Sequence, residues 1–354
     1  MSVPVLEVSD LVVRFPLRRR SPLAPHRFIH AVDGVSFAIK RGDSFGIVGE
    51  SGSGKSTIAL AVMQLVRANS GSIRLDGVEL TELRPRQLRA VRRKMQIVFQ
   101  DPFSSLNPRS RAEAIVREPL DLLKIGTRSE QRTRARSLLE RVGLRADQGA
   151  LFPHQFSGGQ RQRIAIARAL APDPEVLVCD EPVSALDVAI QAQILNQLSR
   201  LQQEFGLTYL FISHDLGVIR QMCDQVAVMY FGEIVESGNR LPFFTNPLHP
   251  YTRVLLASVP NPDPRQRGHR SGPHAMGEPP SPIDLPAGCR FASRCPYVLP
   301  RCRAEKPLLR AVGSQGQLVM CHRVRHDGSA EYEDTARTIA PRAGTEGGSR
   351  HVGA

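Results

Sequence analysis

The sequence predicts an α/β protein on a mostly parallel sheet, followed by a smaller cysteine- and proline-rich unit. Three observations carry that prediction. A glycine-rich stretch, GESGSGKST at 49–57, sits between an apolar strand pattern and a helical one. Two more apolar runs, PEVLVCDEP and LTYLFISHD, end in polar residues and flank a helical segment; strand, helix, strand in that order implies right-handed βαβ units. After about residue 240 the composition shifts, with clustered prolines and four of the six cysteines in residues 242–325.

Taken in order, residues 3–15 alternate as a strand does, and RRRSPLAPHR at 18–27 reads as a basic, proline-containing loop. AVDGVSFAIK is a second strand pattern, leading through DSFGIVGE to the glycine-rich loop, and STIALAVMQLV after Lys55 has helical spacing. MQIVFQDP is an apolar strand ending at Gln100. Residues 110–150 are charged and helical in pattern, with RARSLLERVGL ending near Gly143. HQFSGGQRQR at 154–163 sets Ser157, Gly158 and Gly159 ahead of Gln160 and an arginine-rich helix, whose N-terminus favours an anion.

PEVLVCDEP reads as a buried parallel strand. In AIQAQILNQLSRLQQEFG, Ile190, Ile194, Leu198 and Leu201 form one stripe and Gly206 is the expected helix stop. DQVAVMYFGEIVESG reads as a hairpin turning near Gly232. Residues 327–354 hold little apolar content and read as a disordered tail. The expected units are therefore 1–240, 241–326 and 327–354.

With 354 residues, 41% hydrophobic and 23% charged, the chain is long enough for a large core. Its net charge of +13 comes mostly from arginines spread along the chain. That charge suits nucleic acid, polyanions or an anionic membrane surface, and its dispersal favours none. No apolar run approaches the roughly 18–20 residues that span a bilayer, and the N-terminus lacks a basic region followed by an apolar run and a cleavage site. The expectation is a cytosolic protein with cysteines reduced or metal-bound.

Gly49-x4-Gly54-Lys55-Ser56 between strand and helix satisfies the P-loop pattern, against the alternative of a chance Gly/Ser-rich turn. The loop Gly49, Glu50, Ser51, Gly52, Ser53, Gly54, Lys55, Ser56, Thr57 would wrap phosphates with its backbone. Lys55 would neutralise the β/γ oxygens and the Ser56 hydroxyl would ligate Mg²⁺. Asp180 and Glu181 end an apolar strand; Asp180 would hold the magnesium shell and Glu181 would polarise the attacking water. His214, at the same sheet edge, would bond the γ-phosphate, and Gln100 would reach the magnesium or the water. For the acids the bland reading is a solvated loop start, for His214 a structural residue, and for Gln100 a turn before Asp101-Pro102.

These motifs, with SALD at 184–187, fall in the order and spacing of the ATP-binding-cassette (ABC) nucleotide-binding domain, which the chain resembles over roughly residues 5–240. Phe156 stands where that family's signature loop often has Leu. The resemblance implies a RecA-like mixed sheet core, an antiparallel β subdomain and a helical signature subdomain. It also implies that two cassettes pair head to tail, so that Ser157, Gly158, Gly159 and Gln160 would cap ATP held by the partner. Asp187 would lie at that interface, Gln100 would couple to a membrane partner, and the adenine would stack on Phe15, with Phe28 as the fallback.

NPLHPYTRVLLASVP, GEPPSPIDLPAGCRFASRCP and CHRV resemble the extension of oligopeptide and dipeptide importer ATPases, most of all the dipeptide F-type subunit. Implied partners are a second, different ATPase, two membrane permeases and an external peptide-binding protein, with the chain peripheral on the cytoplasmic face of the inner membrane. Nickel and other solute importers are related. A soluble cassette acting on ribosomes or DNA usually has two cassettes in one chain or a long coiled-coil insertion, and neither is present; no nucleic-acid partner is expected. A small-molecule P-loop kinase has no job for the signature loop or His214.

Cys289, Cys295, Cys302 and Cys321 are spaced C-x5-C-x6-C-x18-C, which is not a zinc-finger pattern and leaves a metal site and a packed reduced core both open. A proline-rich unit with few apolar residues gains from a metal staple. Some members of the resembling subfamily bind a [4Fe–4S] cluster at these cysteines, so iron–sulfur is expected over zinc. Cys179 and Cys223 need no role beyond packing.

Overall fold

A computed structural model describes residues 3–17, 26–258, 275 and 277–332. The basic loop is thus described only at residues 26–27 and the C-terminal tail only at residues 327–332; the remainder of both lies outside the described residues.

The chain opens with the long strands β1 (Pro4–Pro16) and β2 (Phe28–Lys40), then β3 (Ser44–Val48), the glycine-rich loop and α1 (Lys55–Val62). Next come β4 (Ser70–Leu75), β5 (Val78–Glu79), α2 (Pro85–Lys94) and β6 (Met95–Val98). A helical section holds α3 (Pro102–Ser105), α4 (Ala112–Leu123), α5 (Arg128–Arg141) and α6 (Gly158–Leu170). The alternation resumes with β7 (Val176–Asp180), α7 (Val188–Phe205), β8 (Thr208–Ser213), α8 (Leu216–Met222), β9 (Gln225–Tyr230) and β10 (Glu233–Asn239). The C-terminal segment contributes α9 (Arg240–Thr245), α10 (Pro250–Ser258), α11 (Pro300–Ala304), β11 (Arg310–Val312) and β12 (Gln317–Val319).

Among the described residues these strands form two sheets: an antiparallel one in the order β2-β1-β4-β5, and a mixed one in the order β11-β12-β10-β9-β3-β8-β7-β6. The pairs β6–β7, β7–β8, β8–β3 and β3–β9 are parallel. β3, β7 and β8 are buried along their whole length, as a sheet covered on both faces requires. The helix starts follow local chemistry. Thr127 and Glu130 make a reciprocal capping box on α5, Ser157 and Gln160 another on α6, and the Asp187 carboxylate accepts from the Ile190 N–H at the start of α7. Gly206 closes α7 at φ 63°. Helix α1 stops at Val62, short of the apolar pattern that suggested a longer helix, and Gln64 sits at φ 54°.

The C-terminal segment is sewn into the main sheet rather than hung beside it. β12 pairs antiparallel with β10 through Glu236–Val319 and Ser237–Leu318. Arg290, only 6% exposed, donates to the Phe231 carbonyl and the Asp33 carboxylate and lies 3.2 Å from Glu233. Residues 327–332 stay within this packing: Val324 bridges to Ala330, and the Tyr332 ring lies 4.7 Å from that of Tyr297.

Candidate active site

The carboxyl ends of β3, β6, β7 and β8 converge on one open cavity of about 870 Å³. Parallel strands deliver their C-terminal residues to one edge, which places Gly49, Gln100, Glu181 and His214 together although they are far apart in sequence. Glu50, Ser51, Gly52, Gly54, Lys55, Ser56 and Thr57 also line it, as does Phe15.

The loop's shape is set from inside. Lys55 is 5% exposed, and its ammonium donates to the carbonyls of Gly49 and Glu50 at 2.8 Å and to Ser53 Oγ at 3.4 Å. Gly54 takes φ 105°, and a Cβ there would overlap the Ala31 carbonyl oxygen, so only glycine fits. Burial pulls the Lys55 pKa down, opposed by the charges of Glu181, Asp180 and Glu50.

Ser56 Oγ donates to Asp180 Oδ1 at 3.0 Å, joining the loop to the end of β7. Burial raises the Asp180 carboxyl above its ordinary range, partly offset by that hydrogen bond. Glu181 follows with φ 48°, a left-handed conformation that costs a non-glycine residue about 1–3 kcal/mol. Its N–H donates to the Ile212 carbonyl at 2.8 Å, which turns the side chain into the cavity. There both carboxylate oxygens are engaged: Gln100 Nε2 donates to Oε2 at 3.0 Å, and His214 Nδ1 lies 3.1 Å from Oε1. His214 Nε2 remains as the ring atom available to a ligand.

The signature segment sits elsewhere. Ser157, Gly158, Gly159 and Gln160 do not line this cavity. Ser157 and Gln160 spend their side chains on the α6 capping box, and a Cβ on Gly159 would meet Ile190 at 2.5 Å, so that glycine also lets α6 approach α7. Asp187 likewise caps α7 and lies outside the cavity. Phe28 does not line it either: it stands opposite Pro16 in the β1–β2 ladder, one register step beyond the Phe15–Ile29 pair. Sequence reasoning missed Ile29, His30, Ala31, Leu255 and Pro282, which complete the wall, and Tyr251 and Arg294, which hold Glu50. No local motif signals these last contacts, because they join residues 201 and 244 positions apart.

The four C-terminal cysteines line a second, small cavity with Phe291 and His322. All are free thiols. Burial pushes Cys289 and Cys295 up to about 12 and raises Cys321, while Cys179 and Cys223 are buried in the core with thiols raised for the same reason. Four sulfurs without a carboxylate suit a thiophilic metal. As they stand they do not close into a ligand set: among the described residues no group of three or more His, Cys, Asp or Glu is placed to hold a metal ion. The iron–sulfur expectation therefore rests on the subfamily resemblance and the donor chemistry, without a formed ligand set.

Comparison with known proteins accords with this geometry. Residues 32–184 match the ABC transporter family and residues 235–302 the C-terminal region of oligopeptide/dipeptide transporters. The oligopeptide transport ATP-binding protein AppF of Bacillus subtilis is 46% identical over 319 residues, covering 90% of this chain and 97% of AppF. The chain belongs to the ABC transporter ATP-binding family. This ABC ATPase has the cassette fold, with the antiparallel subdomain formed by β1, β2, β4 and β5. Its fold is similar to that of the dimeric ATP-binding cassette MJ0796 in a post-hydrolysis state with ADP and phosphate, at TM-score 0.59 and 30% identity over 66% of this chain and 98% of that one. It is also similar to cbiO1 of Clostridium perfringens, part of the transporter complex cbiONQ, at TM-score 0.59 and 29% identity over 68% and 91% of the two chains. No helix of the ABC ATPase, among the described residues, is long and apolar enough to cross a membrane.

Proposed function

We propose that this ABC ATPase energises the uptake of di- and oligopeptides as the nucleotide-hydrolysing subunit of a membrane importer. The observation that carries the substrate class is the match of residues 235–302 to the oligopeptide/dipeptide transporter C-terminal region; the oligopeptide transport relative supports it. The chain works peripherally on the cytoplasmic face of the inner membrane, with two permease subunits, an external peptide-binding protein and a second, different ATPase.

Lys55 and the loop N–H groups hold the β- and γ-phosphates, and Phe15 stacks on the adenine. The oxygen donors Ser56, Asp180 and Gln100 suit Mg²⁺, a hard cation that when bound neutralises phosphate charge. The raised Asp180 carboxyl, buried beside Ser56, fits a site that receives a cation. Glu181 accepts the proton of a water whose oxygen attacks the γ-phosphorus, and the bond to the β-phosphate oxygen breaks to leave ADP and phosphate. Gln100 and His214 fix the carboxylate in that orientation. Ser157, Gly158, Gly159, Gln160 and Asp187 face the partner cassette, where the signature residues cap the partner's ATP. Their place outside this chain's own cavity is what a site split between two chains needs.

Labelled di- and oligopeptide uptake by cells lacking the gene tests the proposal. Wild type should restore uptake and Lys55→Ala should not; unchanged uptake on deletion, with no redundant system present, discards the peptide and keeps the ATPase. The four cysteines are proposed as thiolate ligands of an iron–sulfur cluster. Anaerobically purified protein should then contain iron and acid-labile sulfide, both lost when Cys295 and Cys302 are replaced by serine; zinc in their place overturns the assignment.

A further inference from the structure

Glu50 is the first P-loop residue after Gly49, and the C-terminal segment grips both its backbone and its side chain. Arg294 donates both terminal nitrogens to the carboxylate, Nη1 to Oε2 at 2.7 Å and Nη2 to Oε1 at 3.0 Å. The Glu50 N–H donates to Tyr251 Oη at 2.9 Å. Neither anchor is loose. The Arg294 side chain is 14% exposed, and Nη1 also lies 3.4 Å from Tyr230 Oη. Tyr251 is fully buried, its ring 4.5 Å from Tyr230 and 5.3 Å from Phe291.

The Glu50 carbonyl, in turn, accepts from the Lys55 ammonium at 2.8 Å. A shift of Glu50 therefore shifts a partner of the lysine that faces the phosphates. The same segment supplies Leu255 and Pro282 to the cavity wall, and the Pro282 carbonyl accepts from the His30 N–H at 3.0 Å.

We infer that the C-terminal segment is part of the nucleotide site, with Arg294 and Tyr251 acting as positioning residues that set the P-loop's shape through Glu50 and so tune its affinity for the triphosphate. This rests on the reading of the cavity as the ATP site. The physical reason is the composition of the loop. Glycines and serines bring little side-chain packing, so the loop's backbone is held by the Lys55 ammonium from within and, at Glu50, by Tyr251 and Arg294 from outside. A bidentate arginine–carboxylate pair fixes orientation as well as distance. A loop already held in its binding shape loses less entropy when the phosphates arrive, which appears as affinity. Arg294 acts only through Glu50, so its effect belongs to binding rather than to the chemical step.

The test is titration of the full-length chain with a fluorescent ATP analogue, alongside steady-state hydrolysis. Arg294→Gln should weaken nucleotide binding and raise KM about tenfold, with kcat at saturating ATP kept within about threefold. Arg294→Lys should recover part of the loss, since it keeps the charge without the fork. Adding Glu50→Gln to Arg294→Gln should weaken binding little further, because both act on one pair. Should Arg294→Gln fail to fold, Tyr251→Phe decides: it keeps the ring and removes only the oxygen that accepts from Glu50, and it should weaken binding severalfold. Wild-type affinity in a folded variant, with only a lowered melting temperature, overturns the inference and leaves a purely structural tie. Wild-type protein that binds no ATP overturns the reading of the cavity instead.

Discussion

Glu181→Gln should leave ATP bound and reduce its cleavage about 10²–10⁴-fold, the range for loss of a positioned general base. The substitution preserves shape and one acceptor oxygen. The remaining oxygen can still accept from Gln100 Nε2 and the new NH₂ group can face His214 Nδ1, so Gln100 keeps its own oxygen free. What disappears is the basicity needed to take a proton from water. Ser56 and Asp180 still join the loop to β7, and Lys55 still holds the loop closed, so nucleotide affinity should stay within about threefold. With ATP bound and uncleaved, the paired cassettes should remain associated. Sizing of the variant with its partner ATPase and ATP checks this, alongside phosphate release. Near-normal turnover would remove Glu181 from the role of base, and a monomer under those conditions would count against a site shared between two chains.

Lys55→Ala should instead lose the nucleotide itself. Its ammonium is the cation that faces Glu50, Asp180 and Glu181 across the loop. Without it Asp180 and Glu181 meet the triphosphate uncompensated, while Glu50 keeps its Arg294 partner, and the loop loses the bonds that curl Gly49, Glu50 and Ser53 around one centre. A fall in ATP affinity of at least about 10²–10³-fold is expected, comparable to removal of a dedicated donor to an oxyanion, and turnover at cellular ATP should vanish. Isothermal titration separates the two variants: heat of ATP binding persists in Glu181→Gln and is absent in Lys55→Ala. Normal binding by Lys55→Ala would remove the P-loop assignment.

The contrast shows which parts of the site were legible in advance. Lys55, Asp180, Glu181 and His214 stand at the ends of apolar strands or the start of a helix, and a parallel sheet brings such positions to one edge. Strand and helix periods and the glycine spacing are local properties, readable without a fold. The helix start after Ser157 is equally local, as is the Gly206 stop. The preference for Phe15 over Phe28 came from the resemblance, and the β1–β2 register is what puts Phe15 rather than Phe28 on the cavity wall.

The sequence alone therefore determined the α/β class, the glycine-rich loop between strand and helix, the acids and histidine at the same sheet edge, and the shift in character near residue 240. Tertiary structure decided how the second part serves the first: β12 joins β10, Leu255 and Pro282 close the cavity wall, and Arg294 and Tyr251 clasp Glu50. Those contacts join residues far apart in the chain. Ion pairs and packed walls of that kind carry no periodicity, and their partners are selected only when the collapsed chain brings burial and charge into register.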